Sequence, residues 1–183
     1  MIKSSENDVG RDGSGAHPAK QLRLENIRSH RPGEAAFYEV QTWGPGDREL
    51  YFVSEIGRES PFVLDIWKMG LSSGRLSAVT DTPDHYEEHM GISPSERKIA
   101  FMSSICCDWN PRDLRTLVAE LYLMNLDGTN LVRHTRLNEE SRGRYMVIGA
   151  GWSPDGREML LPVRDAQKKN DELWRLTFKG SCG

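Results

Sequence analysis

Ser153-Pro154-Asp155-Gly156-Arg157-Glu158-Met159-Leu160-Leu161 decides how this chain is read, because two earlier stretches repeat its order of residue types. They are Gly44-Pro45-Gly46-Asp47-Arg48-Glu49-Leu50-Tyr51-Phe52 and Ser93-Pro94-Ser95-Glu96-Arg97-Lys98-Ile99-Ala100-Phe101. Each sets a small residue and a proline ahead of a polar turn and an apolar run. Proline presets φ at about −65° where the turn begins, Asp-Gly permits a tight reversal, and the apolar run suits a strand packed between sheets. A second anchor, an acid followed by alternating apolar residues, trails each of the first: Asp65-Ile66-Trp67-Lys68-Met69, Glu120-Leu121-Tyr122-Leu123-Met124 and Glu172-Leu173-Trp174-Arg175-Leu176. Proline follows proline after 49 and 60 residues, and acid follows acid after 55 and 52. The unit is therefore constant and its variation lies in the loops.

Each unit divides into short strands joined by turns. The first is expected to form strands over 37–43, 49–54, 64–69 and 75–80, with Gly74 at the reversal between the last two. The second is expected over 88–92, 98–103, 119–125 and 131–135, with Asp127-Gly128 at the equivalent reversal. The third runs over 147–152, 158–163 and 171–178 and stops before a fourth strand. Pro162 inside a strand points to an edge or a bulge there, since proline cannot donate to a ladder. Trp43, Ile92 and Trp152 all stand two residues before the anchor proline and are expected to be buried in equivalent wedges between sheets. The first two turns, lacking Asp-Gly, are expected to differ in type from the third.

Ser-Pro-Asp-Gly-Arg-Glu followed by an apolar strand, then Glu-Leu-Trp or Glu-Leu-Tyr-Leu-Met-Asn-Leu-Asp-Gly-Thr-Asn, resembles the WD-like repeat of TolB-type β-propellers over about residues 35 to 180. The resemblance implies an all-β partial propeller of about three four-stranded antiparallel blades, the last incomplete. Blade 1 would span 35–86, blade 2 87–146 and blade 3 147–180, preceded by a disordered leader over 1–20 and a strand of a preceding blade plus turn over 21–34. Closed propellers typically have at least four blades, so the expectation is a fragment of a longer propeller. Members of the resembled family bind proteins or gate serine peptidases, and many are periplasmic or secreted.

Composition narrows the class further. The 183 residues are 37% apolar and 28% charged, ordinary for a globular protein. A net charge of −3 offers no basic footprint, so nucleic acid is not expected as a partner. No apolar run reaches the ~20 residues that span a bilayer, and the first residues lack the apolar core of a signal peptide, so the expectation is a chain without a membrane span that stays in the cytoplasm as written. An exported parent is what the resemblance implies. Three cysteines, of which Cys106 and Cys107 are adjacent, make no disulfide framework and suit a reducing compartment. With no histidine or further cysteine near them in sequence, the pair reads as two loop residues.

The polar residues of the innermost strands are the candidate site, because inner strands line a propeller's channel. Counting back six from each proline places Glu39 and Glu88 at one position of adjacent blades, with Gln41 and His89 beside them. Two carboxylates and an imidazole suit a divalent cation, and some seven-bladed relatives look like metal-dependent pectin-fragment lyases. The third repeat offers only Ile148-Gly149-Ala150 there, so the set is incomplete and no cofactor is expected. No Gly-x-Ser-x-Gly elbow, Walker, dinucleotide or zinc-finger pattern is present. Three long loops, 55–63, 105–118 and 136–146, exceed what strand connections need, and Trp109 in the second is a candidate interface anchor. The sequence therefore reads as a non-catalytic scaffold that binds a protein or small ligand and self-associates through open blade edges. The alternative is the propeller of an enzyme, either an oligogalacturonate-type lyase or a prolyl-oligopeptidase-like peptidase.

Overall fold

A computed structural model describes residues 29–30, 36–140 and 143–179. The leader expected over 1–20 lies outside the described residues, as do 21–28 and 31–34. Among the described residues, twelve strands in chain order build three antiparallel sheets. The first contains β1 (Glu39–Trp43), β2 (Glu49–Ser54), β3 (Asp65–Gly70) and β4 (Leu76–Ala78). The second contains β5 (Glu87–Ile92), β6 (Lys98–Ser103), β7 (Glu120–Asn125) and β8 (Val132–Arg133). The third contains β9 (Tyr145–Val147), β10 (Gly151–Trp152), β11 (Glu158–Asp165) and β12 (Asn170–Thr177). Within the first two sheets the strands lie side by side in chain order, the meander of a propeller blade. No helix among the described residues is long and apolar enough to cross a membrane.

The alternation read from the sequence becomes two interblade cores. In blade 2, Ile99 and Phe101 on β6 oppose Met124 and Tyr122 on β7, and all four pack toward Tyr51, Val53 and Ile66 of blade 1. Their neighbours Ala100 and Met102, opposite Leu123 and Leu121, point through the other face to Met159, Leu161 and Val163 of blade 3. A strand with both faces buried must be apolar at nearly every position, as Ile99 to Met102 is. Burying each large side chain contributes about 1.5–3 kcal/mol.

The anchor turns are one structure built from three sequences. In each, the residue that precedes proline donates its N–H five residues on: Gly44 to Glu49, Ser93 to Lys98 and Ser153 to Glu158. The second residue after proline is left-handed in all three, at φ 55° for Asp47, 55° for Glu96 and 69° for Gly156. The expected difference in turn type is thus confined to blade 1, where Gly46 is also left-handed. Glu96 holds the conformation without being glycine.

The second anchor proves to be a latch. Asp65 and Glu120 are both fully buried. Asp65 accepts hydrogen bonds from Arg58 and from Thr82 on the way to the next blade, and Glu120 accepts from Thr135, Arg133 and Asn138. A parallel bridge then ties each third strand to the next innermost one, Leu64 to Tyr86 and Ala119 to Met146. In blade 3 no outer strand follows β12 among the described residues, and the third acid, Glu172, is exposed.

Two expectations change. Trp43 is 57% exposed, whereas Ile92 and Trp152 are half-buried against the cores on the side of the preceding blade. Trp152 donates to the Gly91 carbonyl of blade 2 at 3.3 Å. Trp43 would need a blade before the first, and no such blade is among the described residues. Pro162 does mark a bulge, but the bulge is in the facing strand. Its carbonyl accepts from Ile148 at 2.9 Å, and its missing N–H falls where the innermost strand is interrupted between β9 and β10, which both run along β11.

Candidate binding site

The same interruption recurs in every innermost strand. Register slips between Val40 and Thr42 in β1 and between Glu88 and Gly91 in β5, as it does between β9 and β10. His89, at the slip in β5, takes φ 52°. Bulges re-aim side chains, and here they act where β1, β5 and β10 stand next to one another.

Glu39 and Glu88 lie on the neighbouring innermost strands β1 and β5 of blades 1 and 2, near enough for Glu39 to act on the Glu88 carboxyl. The Tyr86 hydroxyl donates to Glu88 Oε2 at 2.7 Å, and His89 Nε2 stands 3.1 Å from the same oxygen. Burial, reinforced by the neighbouring Glu39, pushes the Glu88 carboxyl above its ordinary range against the pull of Tyr86 and His89. Burial and the Glu88 carboxylate likewise push the Tyr86 phenol up. A phenol, a carboxyl group and an imidazole set this closely offer both donors and acceptors, so the cluster suits a polar ligand. Gln41 does not join it: its Oε1 accepts from the Met90 N–H at 3.2 Å and clips β1 to the bulge of β5. Among the described residues, the three-ligand grouping of metal-binding side chains forms elsewhere, at Cys106, Cys107 and Glu120.

From this cluster a groove runs outward between blades 2 and 3. Its inner part, about 440 Å³, is bounded by Glu88 and His89 on one side and by Met146, Ile148 and Arg164 on the other. Its outer part, about 500 Å³, shares Leu114, Leu117, Met146 and Arg164 with the inner one and ends at Lys169 and Asp171. Leu114, Leu117 and Met146 give the middle an apolar surface, and charged side chains stand at both ends. Arg164 holds Asp171 through paired contacts at 2.8 and 3.0 Å, which fixes its guanidinium at the junction. A larger hollow, about 750 Å³, lies between the loop at Arg58–Val63 and that at Asn110–Arg112. All three cavities draw on the long loops singled out in the sequence.

Trp109 turns inward. It is 9% exposed, donates Nε1 to the Asp84 carbonyl at 3.0 Å and meets the Tyr86 ring edge-on at 6.2 Å, so it fastens its loop over the cluster. The groove walls were beyond the sequence, since Leu114, Met146 and Arg164 come from three separate segments with no shared pattern.

No family model and no curated protein matches the chain. Solved structures do. A prolyl endopeptidase from a study of inter-domain dynamics in catalysis and specificity superposes with a TM-score of 0.54 at 18% identity, over 80% of this chain and 18% of its own. The β-propeller domain of the Trilobed protease from Pyrococcus furiosus, described as having an open velcro topology, gives 0.42 at 16% identity over 78% and 43%. The chain thus spans less than a fifth of that endopeptidase's length. At 18% identity the likeness to the endopeptidase establishes the fold alone: this is a propeller-like all-β chain.

Proposed function

We propose that this chain is a non-catalytic TolB-like propeller segment of a longer propeller that binds a protein or peptide ligand in the groove between blades 2 and 3. The observation that carries the reading is the continuity of that groove. It joins Glu88 and His89 at the channel to a middle lined by Leu114, Leu117 and Met146, with Arg164 at the junction and Lys169 and Asp171 at the outer end, a layout that grips an extended chain by its side chains and backbone. Divalent cations belong to this reading only as secondary ligands of the carboxyl pair.

Leu114 tests the reading because it lines both parts of the groove yet is exposed, so a charge there obstructs the groove without entering the core. Peptides selected from a display library on the wild-type chain are expected to lose at least tenfold in affinity on Leu114→Glu. They should be unaffected by Leu131→Glu, an exposed position outside the groove. Selected peptides that bind both variants like the wild type would refute the groove. A second reading, as the propeller part of a serine peptidase, is supported by the shared fold with prolyl endopeptidases and is tested by reading the coding frame on both sides for a hydrolase domain.

A further inference from the structure

The turn after the second strand is the same in blades 1 and 2. Ser54 faces Asp65 and Ser103 faces Glu120 in the ladders, and four residues later Arg58 and Cys107 each donate their N–H three residues back, to Glu55 and Ser104 at 2.8 Å. Arg58 and Cys107 are therefore equivalent. In blade 1 the Arg58 guanidinium sits against the buried latch acid, with Nε 2.6 Å from Asp65 Oδ2. In blade 2 a cysteine holds that turn position, and the acid takes its arginine from β8 instead, Arg133 Nη2 standing 3.1 Å from Glu120 Oε1. The latch acid is still there, and the sulfur atoms of Cys106 and Cys107 lie within 4.8 Å of each other and of a Glu120 carboxylate oxygen.

The hydrogen bonds of Glu120 leave one acceptor position for a ligand at this point. Glu120 Oε1 already accepts three hydrogen bonds, from Arg133 and from the main-chain and side-chain nitrogens of Asn138. Oε2 accepts one, from Thr135. A carboxylate oxygen has about two acceptor directions, so the open position is on Oε2. Two thiolates neutralise a dication, so such an ion adds no net charge beside the Glu120–Arg133 pair and avoids the cost of an unpaired buried charge. Thiolate and carboxylate ligands together suit a soft d¹⁰ ion in a tetrahedron whose fourth position is water.

We propose that Cys106, Cys107 and Glu120 form a redox-gated site for a soft divalent cation of the zinc class. In the structure the two sulfurs are bonded to each other. A dithiol reductant opens the site by exchange: the S–S bond breaks, two electrons and two protons pass to the cysteines, and the reductant leaves as its own disulfide. The cation then displaces both thiol protons as two metal–sulfur bonds form. A disulfide oxidant closes the site by the reverse exchange: it accepts the two electrons and becomes a dithiol, the Cys106–Cys107 bond re-forms, and the cation is released.

The test uses Cd²⁺ as the probe, because thiolate-to-cadmium charge transfer absorbs in the near ultraviolet. Cys182 lies outside the described residues, so Cys182→Ser serves as the background and keeps its thiol out of the readout. Reduced protein is expected to take up one equivalent of Cd²⁺ with a saturable band that Zn²⁺ competes away, and oxidised protein none. Glu120→Gln should weaken binding at least tenfold. Because that variant leaves Arg133 without its buried partner and can unfold, Cys107→Arg, which restores the blade 1 residue, provides the independent check: it should fold and give no saturable band. A reduced wild type without a band, a folded Glu120→Gln that binds within twofold of wild type, or a Cys107→Arg that keeps its affinity would each overturn the proposal.

Discussion

Replacing Gly128 with alanine should destabilise the chain far more than the same change at Gly74, although both glycines occupy the turn between third and fourth strands in a left-handed conformation, at φ 84° and 66°. A residue with a Cβ in that region costs about 1–2 kcal/mol. The unfolded chain loses freedom on the same substitution, which returns about 0.4–1 kcal/mol. A Cβ at Gly74 meets nothing within 4 Å, so Gly74→Ala should cost about 0.5–1 kcal/mol net. A Cβ at Gly128 would lie 2.3 Å from the Val79 carbonyl oxygen of blade 1, and the obstacle is backbone. Val79 is itself held by its N–H to the Ile66 carbonyl at 2.8 Å, so the blades must separate to make room. Overpacking of this kind adds about 1–3 kcal/mol, for a total of about 2–4 kcal/mol. Urea denaturation of the two variants beside wild type measures the difference, provided the slopes agree. Losses equal to within about 0.5 kcal/mol would refute the close approach of blade 2's turn to blade 1 and with it the packing of the two blades.

Burial pushes the Glu87 carboxyl from 4.5 up to about 7, so the folded chain holds this proton more tightly than the unfolded one. Its stabilising contribution is complete below about pH 4.5 and is lost as pH rises to about 7, up to ~3 kcal/mol, and Glu87→Gln should flatten that slope in melts taken between pH 5 and 8. Glu96→Gly should stabilise the chain by about 0.5–1 kcal/mol, since it relieves a left-handed glutamate at φ 55°; a loss of melting temperature would contradict the turn geometry. Trp43 and Leu173, 57% and 79% exposed on the two outer blades, should drive concentration-dependent association, reduced in Trp43→Ser/Leu173→Ser; a wild type that scatters light as a monomer at all concentrations would refute this.

What the sequence made legible is what repeats. The anchor proline, the latch acid and the alternating runs recur three times, and recurrence separates a structural demand from chance, so strand order and the two-faced core around Ile99–Met102 followed directly. Features that depend on a neighbour did not. Trp43 and Trp152 are the same residue at the same position, yet one is exposed and the other packed, because burial there is decided by the preceding blade. Gln41 and Glu39 are two residues apart on β1, yet only Glu39 meets Glu88, because the register slip between them turns one toward the carboxyl pair and the other toward the β5 backbone. The groove was illegible for a further reason: loops build its walls, and loop placement has no period. One signal was available and unread. Setting Phe52-Val53-Ser54 above Phe101-Met102-Ser103 aligns Arg58 with Cys107 without any coordinates.

That alignment gives the latches a meaning beyond stability. The buried acids that open β3 and β7 must be supplied with donors, and Thr82 for Asp65 and Thr135 and Asn138 for Glu120 come from the segment leading into the next blade, so each of these two latches fixes one interblade joint. In blade 2 the chain of contacts continues. Asn138 donates to Glu120, its Nδ2 also donates to the Tyr145 carbonyl at 3.1 Å, and its Oδ1 accepts from the Tyr145 N–H at 2.8 Å. Tyr145 opens β9, and the next residue, Met146, is a wall of the groove in both its parts. The carboxylate that faces the two cysteines is thus joined through a single asparagine to the strand that shapes the groove. In blade 1 the acid takes its arginine from the turn after the second strand, Arg58, and in blade 2 from β8, Arg133, so both acids keep a partner whose charge does not vary at any physiological pH. The turn position that the arginine leaves in blade 2 is held by Cys107, at the joint where the groove opens, so the residues that set the latch and those that line the groove belong to one connected hydrogen-bonded unit.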